Sequence, residues 1–129
     1  VTLIDYKLTR EWATAGVKLV EAGKLQLLLY WYAVASTPGL QPVAALYRPL
    51  TGVKPRGIMD AELAPAVAKS VRTDKMDHEQ IEQLIDEAVA LATSSVQALR
   101  AGRVTPDPRG GKCPDWCGLE TVCRIGERE

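Results

Sequence analysis

The chain has 129 residues, enough for one domain with one core and too few for two. Its 16 basic residues balance 16 acidic ones, so no overall field draws it to nucleic acid or to an anionic membrane, and any such attraction must come from local patches. The longest apolar stretch, residues 25–35, is interrupted by Gln26 and falls well short of the roughly 20 residues a membrane-spanning helix needs, which predicts a soluble, cytoplasmic protein with no membrane partner.

Residues 1–9 (VTLIDYKLT) are rich in β-branched and aromatic side chains and predict a strand. Leu3, Asp5 and Lys7 fall on one side of it, and Thr2, Ile4 and Tyr6 on the other. Beginning inside a strand, with neither a charged leader nor a cleavage site, the sequence reads as a segment of a longer protein. After a polar stretch, LQLLLYWYAVAS (25–36) predicts a helix apolar almost all round and therefore buried on several sides. Pro38-Gly39 ends it. PVAALYRPL (42–50) predicts the next strand, closed by Pro49 and Gly52 and followed by a basic loop of Arg48, Lys54 and Arg56. Residues 60–76 fit either a short helix over 63–69 or irregular structure. Asp77 with Gln80 three residues on is a capping-box variant, ahead of Ile81, Leu84, Ile85, Ala88, Ala92, Val96 and Leu99 at helical spacing; Gly102 is placed to close that helix. From 103 onward the chain is rich in proline and glycine and holds all three cysteines. The expected organisation is a core over 1–102 and a cysteine-containing tail of the same domain over 103–129, with no internal repeat.

Three groups of residues could carry chemistry. Asp5 and Lys7, at i and i+2 of a strand, project from one face and can address one substrate atom together. A carboxylate that holds a divalent metal beside a lysine that orients a nucleophile suits phosphodiester hydrolysis, while the same pair is also an ordinary surface ion pair. Gln26 and Tyr30, one helical turn apart, form either a shared polar edge facing a cleft or the solvent-exposed stripe of the helix. Cys113, Cys117 and Cys123 are crowded as metal ligands are, but a zinc site or an iron-sulfur cluster takes four ligands, and His78, at the start of an acidic helix, reads as a surface residue. Arg100, Arg103, Arg109 and Lys112 form a second basic patch. The long helix opens acidic, with Asp77, Glu79, Glu82, Asp86 and Glu87, so DNA is expected near the basic patches and away from that face.

Taken together, IDYKLT, LQLLLY and CPDWCGLETVCR, in that order and across essentially the whole chain, resemble the RecB/AddB-type exonuclease domain of the PD-(D/E)XK, or restriction-endonuclease-like, superfamily. The resemblance implies an α/β fold with a mixed sheet flanked by helices and magnesium- or manganese-dependent hydrolysis of DNA. It further implies a role in double-strand-break repair or recombination, with a helicase domain or subunit as partner. Asp5 and the backbone carbonyl of Tyr6 correspond to metal ligands, Lys7 to the catalytic lysine, and Gln26 and Tyr30 to the residues that line the DNA groove and organise the site. Cys113, Cys117 and Cys123 correspond to three of the four ligands of a 4Fe-4S cluster. The chain departs from the pattern in two ways. The family's first cysteine, its helix with a metal-binding histidine or acid and its first-motif aspartate would all precede Val1, and three residues rather than two separate Cys113 from Cys117. Activity is therefore expected of the longer protein and not of the isolated segment. A different class of reading is a catalytically inactive nuclease-like module that binds DNA or serves as structure, its tail stabilised by metal; a third is a protein-interaction domain with unliganded thiols.

Overall fold

The computed structural model describes residues 1–8, 13–51, 54–63, 74–104 and 117–119. Its elements run β1 (Thr2–Lys7), a 3-10 turn (Gly16–Lys18), α1 (Gln26–Ala35), β2 (Ala44–Pro49), β3 (Arg56–Asp60), β4 (Lys75–Met76) and α2 (His78–Arg100). The chain divides into two compact units, Val1–Ser94 and Ser95–Glu129.

The four strands form one mixed sheet in the order β1-β2-β3-β4. β1 runs parallel to β2, β2 antiparallel to β3, and β3 parallel to β4. The parallel β1–β2 pair needs a crossover, and α1 lies within it, as the strand-helix-strand reading of 1–50 predicts. The sheet face carrying Ala45, Tyr47 and Ile58 packs against Leu27, Leu28 and Trp31 of α1 and Ile81, Ile85 and Ala88 of α2, with Leu19 and Met76 completing the core. Ala44, Leu46 and Met59 make a smaller cluster on alternate positions of β2 and β3. The result is an α/β fold with a mixed sheet and helical cover, as the resemblance implies.

Two expectations need correction. The all-round apolar sequence of α1 does not bring burial on several sides: Leu27, Leu28 and Trp31 are buried, whereas Tyr30 and Tyr32 remain 47% and 49% exposed. The core meets the helix along that single stripe, and the hydroxyls of the two tyrosines suit the wet side. The loop expected after the second strand contains β3, with Arg56 as its first residue. Only Ile58 and Met59 are apolar in RGIMD, too few for alternation to show; pairing with β2 makes the strand. Within 60–76 the structure has β4, while the possible helix over 63–69 falls largely outside the described residues.

α2 is capped as its sequence predicts. Gln80 N–H donates to Asp77 Oδ1 at 2.8 Å and Asp77 N–H to Gln80 Oε1 at 3.3 Å, closing the capping box. At the other end Gly102 has φ +72°, and Arg103 N–H and Gly102 N–H donate to the carbonyls of Ala98 and Leu99, a Schellman ending that favours glycine.

Candidate active site

β1 places Asp5 and Lys7 side by side on the face turned toward α1. Lys7 Nζ lies 2.7 Å from Asp5 Oδ2. The same ammonium donates to Gln26 Oε1 at 3.1 Å, and Gln26 Nε2 donates to Tyr30 OH at 2.8 Å. A strand pair at i, i+2 and a helix pair at i, i+4 are thereby joined into one polar chain by a single contact, Lys7 to Gln26. Lys7, Gln26 and Tyr30 line an open cleft with Gly23, Lys24, Leu25 and Leu29. The glutamine is thus both exposed and part of a shared polar edge.

Beneath this chain lies Tyr47 of β2, in register with Asp5 and only 2% exposed. Its ring is 4.9 Å from Lys7 Nζ, centroid to nitrogen. Burial, and then the Asp5 carboxylate, push the phenol up to about 12, so it stays protonated at neutral pH. Burial, and then the nearby Lys7 charge, lower the Lys24 ammonium below its usual value.

The identity of the chain follows from comparison with known families: residues 1–124 match the PD-(D/E)XK nuclease superfamily. The chain belongs to that superfamily. No curated protein and no solved structure matches it. Nuclease-type phosphodiester hydrolysis is the activity this superfamily supplies, and the mixed-sheet α/β fold agrees with membership in it.

A divalent ion of the kind such nucleases use takes oxygen donors with spare acceptor capacity. Asp5 Oδ2 is shielded from solvent and makes no hydrogen bond; its contact with Lys7 is an ion pair lacking hydrogen-bond alignment. Val1 and Lys7 carbonyls accept from Val43 and Leu50 on the β2 side, so alternation turns the Tyr6 carbonyl toward the other edge of β1, which no described strand pairs. Among the described residues no three His, Cys, Asp or Glu side chains converge as a metal-ligand group. A hard oxygen with spare acceptor capacity and a backbone carbonyl fit Mg²⁺ or Mn²⁺, ions that complete their shells with water and phosphate oxygens.

Sequence reasoning missed the partners of two other residues. Arg56 is not part of a free basic loop: its Nε lies 2.8 Å and its Nη2 3.3 Å from the two carboxylate oxygens of Asp74. Asp74 is fully buried, and its Oδ1 also accepts the Gly16 N–H at 3.1 Å. His78 is on the surface as expected, yet its Nδ1 is 3.3 Å from Oδ2 of the buried Asp60 and its Nε2 is 3.4 Å from Glu82 Oε1. Arg48, Lys54, Arg100 and Arg103 are exposed. Cys117 is a partly buried free thiol; Cys113, Cys123, Arg109 and Lys112 lie outside the described residues.

Proposed function

We propose that this nuclease is a metal-dependent DNA exonuclease of the RecB/AddB kind, acting with a helicase in double-strand-break processing, with Asp5, Lys7, Gln26 and Tyr30 as its reaction centre. The observation that carries the reading is the unbroken contact chain from Asp5 through Lys7 and Gln26 to Tyr30 at the edge of an open cleft. Asp5 and the Tyr6 carbonyl would hold the magnesium ion, which when bound polarises the phosphate and makes its water a nucleophile at neutral pH. Lys7 offsets the negative charge that develops on the phosphate oxygens and orients the attacking water. Gln26 accepts from Lys7 and donates to Tyr30, which fixes which way its amide points and, through it, where the ammonium sits. Tyr30, half exposed at the cleft, offers its ring to the bound strand.

Arg103 and Arg109 supply phosphate contacts that position the DNA without reading its sequence. The thiolates of Cys113, Cys117 and Cys123 are soft donors of the kind an iron-sulfur cluster takes, with the fourth ligand from elsewhere in the protein.

The test is cleavage of linear DNA by the full-length protein in Mg²⁺, with Asp5→Ala and Lys7→Ala variants. Each substitution is expected to lower kcat by about 10³-fold or more while leaving the fold intact. Cleavage retained by either variant overturns the assigned centre, and DNA binding without cleavage in the wild-type protein would favour an inactive module.

A further inference from the structure

We propose that Tyr47 is a positioning residue of the reaction centre, its ring face seating the Lys7 ammonium. The inference rests on the assignment of Lys7 made above and extends it to a residue that touches neither substrate nor metal.

A buried tyrosine on a central strand is most simply a core residue, and Tyr47 does belong to the main hydrophobic cluster. Packing alone would be served by leucine, and one contact goes beyond it. The ring lies under Lys7 Nζ at 4.9 Å, close enough for the quadrupole of the ring to attract the charge. Register explains how: Asp5 pairs with Tyr47, and Lys7, two residues on, stands diagonally across the same face.

The consequence is pre-organisation. Lysine is a point charge on a flexible four-carbon stem, and its value in a transition state falls steeply when it is misplaced by an ångström. Asp5 draws the ammonium along β1 and Gln26 draws it toward α1; the ring supplies a third support from below, without offering an acceptor that would divert an N–H from the cleft. Tyr47 should therefore act on kcat through Lys7, with little effect on substrate affinity.

The experiment combines kinetics with a spectroscopic report on Lys7 in the full-length protein. In Tyr47→Phe the ring stays, and kcat is expected within about 2-fold of wild type. In Tyr47→Leu the ring is lost, and kcat is expected to fall about 10- to 30-fold with KM within about 2-fold of wild type. In parallel, proton-carbon correlation spectra of assigned lysine side chains should show the Lys7 ε-methylene shifted upfield by the ring in wild type and Tyr47→Phe, and at the ordinary lysine position in Tyr47→Leu. Should Tyr47→Leu fail to fold, the spectra of wild type and Tyr47→Phe decide alone. An unshifted Lys7 in wild type, a Phe variant as impaired as the Leu variant, or a loss confined to KM would overturn the inference. Because the chemical shift needs no substrate, an inactive wild-type protein with a shifted Lys7 would count against the reaction centre and not against the contact.

Discussion

Two ion pairs in the first compact unit have almost the same length and opposite characters. Arg56 meets Asp74 at 2.8 Å and Lys7 meets Asp5 at 2.7 Å. Asp74 is wholly buried, but each of its carboxylate oxygens is answered: Arg56 binds both, and the Gly16 N–H adds a third donor from 58 residues away. That pair is a brace, joining the start of β3 to the residue before β4 and to the 3-10 turn. Asp5 keeps an oxygen that is shielded from water and unmatched by any hydrogen bond, and its partner Lys7 lines an open cleft. A carboxylate whose acceptor capacity is spent stabilises a fold; one with capacity in reserve can take a ligand.

The sharpest way to break this contrast is to delete each carboxylate. Asp74→Ala is expected to destabilise the protein by about 3–5 kcal/mol, because it strands the Arg56 charge and the Gly16 N–H without a partner, while cleavage per folded molecule stays unchanged. Lys7→Ala and Asp5→Ala are expected to move stability by about 1 kcal/mol or less, since that pair is partly exposed and screened. Urea denaturation of the variants compares them directly. Similar losses from both pairs would erase the distinction between brace and site.

A smaller effect separates capping from packing in α2. Asp77→Ala should cost about 1 kcal/mol through the lost bond to the Gln80 N–H, and the Asp77→Asn variant should recover most of it. No difference in urea midpoint between wild type and Asp77→Ala would show that the cap contributes nothing.

An effect of similar size, but dependent on pH, concerns Asp60, a second buried carboxylate whose acceptors are occupied. Burial acts to raise its carboxyl, but the Leu63 and Glu62 N–H donors and His78 outweigh this and hold it below the usual carboxylate range. A folded-state value below the unfolded one adds stability that is fully present above the unfolded value, near pH 4, and is lost as pH falls through the folded value. The gap between wild type and Asp60→Asn should thus be about 1 kcal/mol at neutral pH and close on acidification below about pH 4. A gap that stays constant or widens with acid would contradict the assignment.

What could be read in the sequence is what local periodicity encodes. The i, i+2 spacing of Asp5 and Lys7 gave their shared face, the i, i+4 spacing of Gln26 and Tyr30 gave their contact, and Asp77, Gln80 and Gly102 marked both ends of α2. The strand expected over 42–50, closed by Pro49 and Gly52, runs over Ala44–Pro49. The brace was hidden because its members are 18 and 58 residues apart, and nothing in the immediate neighbourhood of Arg56 or Asp74 points to the other. β3 was hidden because arginine, glycine and aspartate surround its two apolar residues. Tyr47 read as one more strand aromatic; its closeness to Lys7 comes from the β1–β2 register, which only the assembled sheet fixes. The buried face of α1 could not be chosen, since every face offered apolar residues and the core selected one.

In the proposed reaction centre Asp5 holds an oxygen for a divalent ion, and Lys7 is its neighbour and not a ligand. Calorimetric titration of the full-length nuclease with Mn²⁺ tests this without reference to turnover. Asp5→Asn should weaken binding by about 10-fold or more, whereas Lys7→Ala should bind as tightly as wild type or more tightly, since it removes a positive charge from 2.7 Å of the same oxygen. Wild-type affinity in Asp5→Asn, or lost affinity in Lys7→Ala, would contradict the account.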